Sequence, residues 1–175
     1  MDPLLADNEA LIRGGFFLGI LLLLAAAEAL APRRQRALPR RTRWFSNLGI
    51  VFVNTAVLRL AFPLLAIGVA LIAAERGWGL LNAVSVPWWV AWPVSILLLD
   101  LAVYLQHVMF HALPALWRLH RMHHADLDFD VTTGLRFHPL EILISMGWKM
   151  TVTAALGAPA GAVLVFEVLL NATSM

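Results

Sequence analysis

The stretch GGFFLGILLLLAAAEALA (14–31) decides the fold class of this chain. It is an apolar run of 18 residues, which is long enough to cross a bilayer as a helix. The composition of the whole chain points to a membrane protein too, since 61% of its 175 residues are hydrophobic and only 14% are charged. Soluble domains are more polar than this. The sequence therefore predicts an integral membrane protein.

The basic stretch RRQRALPRRTR (33–43) follows this first span and sets the predicted orientation. By the positive-inside rule the stretch lies in the cytoplasm, so the N-terminus lies outside. The same arginines could bind acidic lipid headgroups or nucleic acid. Because they lie between two apolar segments, topology explains them better, and no nucleic-acid partner is expected.

Further apolar segments predict a second span at 48–74, interrupted by Arg59 and Pro63, and a third at 88–106. The third span returns the chain to the cytoplasmic side. Residues 107–141 hold all six histidines and are predicted to form a cytosolic helical segment.

Residues 142–175 are predicted to form an apolar helical hairpin around GAPAG (157–161), with one long tilted span as the alternative. Lipid offers no partners for the backbone, so the spans should be helical. We therefore predict an all-α, multi-pass helix bundle that forms a single domain over residues 1–175, in a bacterial inner membrane.

The histidines form two clusters, HVMFH (107–111) and HRMHH (120–124). Residues spaced by three or four positions share one face of a helix, so each cluster points its imidazoles in a common direction. Pro114 lies between the clusters and disfavours helical conformation before it. A break at Pro114 would fold the second cluster back towards the first, so we expect one shared site.

Clustered neutral imidazoles indicate a metal site for Zn, Cu, Fe or Ni. The chain has no cysteine, which excludes thiolate ligands. Five or six histidines exceed what one zinc requires, so two metals are the simplest interpretation. The HExxH signature of zinc proteases is absent, and so is a GxGxxG nucleotide fingerprint. Metallopeptidase chemistry is therefore disfavoured.

The segment 100–145, DLAVYLQHVMFHALPALWRLHRMHHADLDFDVTTGLRFHPLEILIS, closely resembles the fatty acid hydroxylase and sterol desaturase superfamily of membrane diiron enzymes. HxxxH, HxxHH and HPLE occur in the order typical of that family. The resemblance implies two O2-activating irons held by histidines on the cytosolic side of a helix bundle. The candidate metal ligands are His107, His111, His120, His123, His124 and His138.

Two departures from the family pattern are visible. Val108 follows His107 where the family commonly has arginine. Relatives also continue beyond the position of NATSM (171–175) towards another HxxHH, so the C-terminal part of the family domain is expected to be missing.

Three polar residues around the histidines have two interpretations each. His138 is either a further ligand or, with Pro139, the start of a helix in which Glu141 favours the dipole. Asp100 either acts in substrate or proton handling or bonds Tyr104 or a neighbouring helix. Asp126 either fixes the tautomer of a ligand histidine or lies in a solvated loop. Asp100, Tyr104, Asp126 and Glu141 are the candidates for residues that support the metal ligands.

The expected function is a membrane-bound oxidoreductase that hydroxylates or desaturates a sterol or fatty acyl lipid with O2. Electrons would come from an external donor, such as a reductase, ferredoxin or cytochrome. A non-catalytic zinc- or copper-binding membrane protein and an inactive truncated relative are the alternatives.

Overall fold

A computed structural model of the chain describes residues 8–32 and 37–175. The start of the N-terminal segment (1–7) and part of the basic stretch (33–36) lie outside the described residues. Within the described part, the structure has helices and no strands, which confirms the predicted all-α fold. The helices are α1 (Glu9–Leu30), α2 (Arg40–Ala61), α3 (Ala66–Arg76), α4 (Leu80–Ala83), α5 (Trp88–Ala112), α6 (Pro114–His120), α7 (Pro139–Leu156) and α8 (Ala160–Ser174). Short 3₁₀ turns lie at His123–Ala125 and Thr133–Leu135.

Three stretches of the described residues are long and apolar enough to cross a membrane: Leu11–Leu30, Arg40–Ala83 and Trp88–Ala112. The middle stretch contains α2, α3 and α4, whereas the sequence suggested one span over 48–74. The chain is extended at Phe62, immediately before Pro63, and helix resumes at Ala66. A proline disfavours helical conformation at the preceding residue, which accounts for the break.

Helix α8 packs against α1, α3 and α5. Val163 and Phe166 of α8 are buried against Ile67 of α3 and Leu99 of α5. Alanines line the buried face of α3, and small residues let helices approach closely in a membrane. The core therefore depends on close helix contacts within the second half of the chain and α3.

The turn before α4 packs tightly against the turn that joins α7 to α8. Gly79 has φ 92° and ψ 162°, a conformation that is essentially restricted to glycine. A Cβ atom at Gly79 would lie 2.1 Å from the backbone nitrogen of Gly157, which itself has φ 65°. Two glycines thus allow this backbone contact.

A buried ion cluster ties α1 to the α7 and α8 pair. Glu167 of α8 is 2% exposed and forms ion pairs with Lys149 of α7 and, at 3.1 Å, with Arg13 of α1. Charged residues inside membrane helices are costly unless they are paired, so these contacts fix the position of α1.

Candidate metal centre

The end of α5 carries the first histidine cluster. His107 and His111 lie one turn apart in the last two turns of α5, which ends at Ala112 and so extends past the predicted end of the span at 106. Leu113 is extended, and Pro114 is the first residue of α6. The chain therefore bends at the position that the sequence indicated, and α6 packs against α5.

The second cluster spans the end of α6 and the 3₁₀ turn after it. His120 is the last residue of α6, and His123 and His124 lie in the turn His123–Ala125. Because regular α-helix ends at His120, the three side chains of HRMHH do not share one helical face.

Four histidines from the two clusters converge: His107, His111, His120 and His124. Their ligand nitrogens all lie within 4.8 Å of one another. The ring of His120 lies 4.7 Å from that of His107 and 4.8 Å from that of His111, measured between ring centroids. His120 is fully buried, whereas the other three are exposed. We call these four residues the histidine site.

The donor spacing fits a metal ion. The Nε2 atoms of His107 and His111 are 3.1 Å apart, and those of His120 and His124 are 3.2 Å apart. Nitrogens bound to one ion by bonds of about 2.0–2.1 Å lie roughly 3–4 Å apart. Burial, together with the neighbouring His111 and His124, lowers the pKa of His120 to about 4. His120 is therefore neutral near pH 7, which is the form that binds metals.

Glu141 supports the histidine site from the first turn of α7. It is 3% exposed, and its Oε1 lies 2.6 Å from Nδ1 of His120. Burial raises the pKa of Glu141 to about 7. With the carboxylate ionised, Nδ1 donates the hydrogen bond and the lone pair of Nε2 is free for a metal. A carboxylate in this position fixes the tautomer and orientation of a ligand histidine.

Residues 92–175 match the profile of the Fatty acid hydroxylase family. The match covers 84 of the 175 residues, just under half of the chain. No curated protein and no solved structure is significantly similar to the chain. The match contains all six histidines and the helices α6, α7 and α8, together with most of α5. It supports a lipid hydroxylase type of function and confirms the family resemblance seen in the sequence.

Two histidines of this hydroxylase-family segment lie outside the histidine site. The ring of His123 stacks on Phe137 at 4.6 Å between centroids and 5° between planes, and its Nδ1 is buried without a partner among the described residues. Burial, followed by the neighbouring histidines, lowers the pKa of His123 to about 4. His138 caps α7, since its Nδ1 accepts a hydrogen bond from the amide of Leu140 at 3.1 Å. Asp100 and Tyr104 are exposed on α5 and are not members of the site.

Asp126 contacts an arginine rather than a histidine. The guanidinium of Arg43 donates to both carboxylate oxygens of Asp126, at 2.9 and 2.8 Å, and to Asp130 at 2.7 Å. Burial favours a raised pKa of Asp126, but the hydrogen bonds from Arg43 and Asn47 outweigh it and lower that pKa. Arg43 is 4% exposed and belongs to α2. The loop that follows HRMHH is thus fixed to α2 through one buried cation.

Sequence reasoning did not find this role of Arg43. The alternating aspartates of DLDFD (126–130) were a signal, because three carboxylates beside a ligand cluster need a cation if they are buried. Nothing local distinguished Arg43 from the other arginines of the basic stretch, which membrane topology already explained.

Proposed function

We propose that the chain is a membrane-bound oxygenase that hydroxylates or desaturates a lipid of the sterol or fatty acyl type. The reaction would use O2 and electrons from an external donor, such as a reductase, ferredoxin or cytochrome. The observation that carries the proposal is the convergence of His107, His111, His120 and His124 within a segment that matches the fatty acid hydroxylase family.

The metal that we propose is a pair of irons, which supply O2 activation when bound. Four imidazoles are a complete set for one ion, so a second ion needs further ligands. His123 and His138 are the remaining histidines of the chain and are the candidates within it. Each would have to leave its present contact, with Phe137 or with the amide of Leu140.

The roles of the protein residues follow from their surroundings. When Glu141 is ionised, it accepts a hydrogen bond from Nδ1 of His120, which leaves the lone pair of Nε2 available to a metal. The exposed side chains of His111 and His124 leave the site accessible. We place the site on the cytoplasmic side, with the N-terminus outside, because the described part of the basic stretch, 37–43, lies at the same end of the bundle. Glu28 and Arg40 form an ion pair there, and Glu28 also accepts from the amide of Val131.

The proposal is tested with the full chain in lipid nanodiscs, loaded anaerobically with ferrous iron and supplied with a reductant. Mass spectrometry then measures bound iron and two products in sterol and fatty acyl lipids. Hydroxylation incorporates one atom of isotope-labelled O2, whereas desaturation removes two hydrogens from the lipid and releases the oxygen as water. We expect His124→Ala to lower both the bound iron and the lipid oxidation, because it removes one of the four imidazoles of the histidine site. His124 is exposed, so its replacement should not unfold the chain. Arg118→Ala is the matched control, since Arg118 is an exposed cation of the same segment. Iron binding and lipid oxidation that are equal in wild type and His124→Ala would refute the proposal.

The four-histidine geometry also favours a second candidate, a non-catalytic zinc or copper site. Structural zinc sites are closed by four protein ligands, and the histidine site offers that number. One zinc per chain after purification, with neither labelled oxygen nor a new double bond in any lipid after iron loading, would favour this candidate over the oxygenase.

A further inference from the structure

A cavity of about 250 Å³ lies away from the histidine site, between α1, α2, α7 and α8. Two arginines line it, Arg13 from α1 and Arg59 from α2, together with the amide side chain of Asn171 from α8. The remaining wall is largely apolar and includes Phe17 and Met146. The cavity therefore combines hydrogen-bond donors with an apolar surface.

One cation at this cavity has no carboxylate partner in the described part of the chain. Glu167 pairs with both Lys149 and Arg13. Arg59 adds a third cation and has no ion-pair partner in the described residues, 8–32 and 37–175. Both arginines belong to helices that are apolar enough to span a membrane. Unpaired charge in such helices is costly and commonly marks a site that binds a charged group.

We propose that this cavity binds the anionic headgroup of an amphiphilic lipid, a carboxylate or a phosphate, between Arg13 and Arg59. Guanidinium groups bind both anions with two parallel hydrogen bonds, and Asn171 offers a further donor. The volume suits a headgroup and the first part of a chain rather than a whole lipid. Phe17 and Met146 provide the apolar contact for that chain.

This proposal is independent of the metal chemistry. The residues that carry it belong to none of the histidine clusters, and the segment that contains Arg59 lies outside the family match. A failure of lipid binding and a failure of iron binding can therefore be recognised separately.

The test uses native mass spectrometry of the full chain released from detergent, with bound iron measured on the same samples. Two pairs of probes separate the possible headgroups: oleate against oleyl alcohol, and phosphatidate against diacylglycerol, since the second member of each pair lacks the anion. We expect one acidic member to bind at least tenfold more tightly than its partner, because a charge-assisted hydrogen bond is lost with the charge. A preference for oleate identifies a carboxylate site, and a preference for phosphatidate identifies a phosphate site.

Arg59→Gln is the decisive variant, because the exposed side chain of Arg59 can be replaced without disturbing the Glu167 cluster. We expect it to abolish the preference, Arg59→Lys to retain part of it, and the iron content to stay unchanged. Arg41→Gln, an exposed cation on the same helix, should bind like wild type. Equal binding by wild type and Arg59→Gln would overturn the proposal and would mean that Arg59 only extends to the membrane surface. Inorganic phosphate that binds as tightly as either acidic lipid would overturn the lipid part of it.

Discussion

Replacing Arg43 with alanine removes the cation that fixes the loop after HRMHH to α2. Asp130 would then have no cation within 4 Å among the described residues, and Asp126 would keep only Arg136, at 4.0 Å. Breaking a buried ion pair by removing one partner costs about 3–5 kcal/mol, since a charge is left without compensation. We expect a loss of that size in the free energy of unfolding, measured by circular dichroism during denaturant titration in mixed micelles. Metal affinity should fall as well, because the loop that Arg43 fixes begins at Asp126, two residues after His124 of the histidine site.

The controls separate the charge from the rest of the side chain. Arg41→Ala should change the free energy of unfolding by less than about 0.5 kcal/mol, because Arg41 is exposed on the same helix. Arg43→Met combined with Asp126→Asn and Asp130→Asn should be more stable than Arg43→Met alone, since no buried charge then remains unpaired. A loss of less than about 1 kcal/mol in Arg43→Ala, or no rescue in the triple variant, would refute the reasoning.

Two further predictions concern the histidine site and the packing of the turns. Glu141→Gln should weaken metal binding about 10–100-fold in a titration, because the hydrogen bond that orients His120 loses its charged acceptor. Glu75→Gln, at an exposed position, should bind metal like wild type. Equal metal affinity of the two variants would contradict the role of Glu141 in orienting His120. Gly79→Ala should lower the free energy of unfolding by about 2 kcal/mol or more, because its backbone conformation is strained for alanine and the new Cβ would meet backbone at 2.1 Å. Gly147→Ala, where nothing lies within 4 Å of the added Cβ, is the matched control, and similar losses in both glycine variants would show that the close approach is unimportant.

The helical membrane fold could be predicted because it depends on local features. Apolar runs long enough to span must form helices in lipid, and prolines mark where helix stops. The break at Pro114 between the two histidine clusters followed from that rule. The break at Pro63 was visible as an interruption, although the sequence did not indicate that it separates two helices.

The composition of the histidine site was only partly predictable. The residues of HVMFH lie within α5, so the four-residue spacing places His107 and His111 on one face of the helix, as expected. The spacing of HRMHH presumed a helix that in fact ends at His120, and the 3₁₀ turn carries His123 towards Phe137 instead. Sequence patterns do not specify where a helix ends closely enough to tell an end at His120 from one at His124, four residues later.

The long-range ion pairs could not be predicted at all. Arg13 contacts Glu167 from α1, at the other end of the sequence, and no local pattern encodes this contact. Arg43 likewise meets its aspartates across more than 80 residues. These contacts depend on the tertiary arrangement of the helices.

The most direct test of the oxygenase proposal is the iron content of the purified full chain after anaerobic loading with ferrous iron and removal of excess metal. We predict stoichiometric iron in wild type and its loss when both His111 and His124 are replaced with alanine. A wild-type chain that retains no iron, or a double variant that retains as much as wild type, would contradict the claim that the histidine site holds the iron.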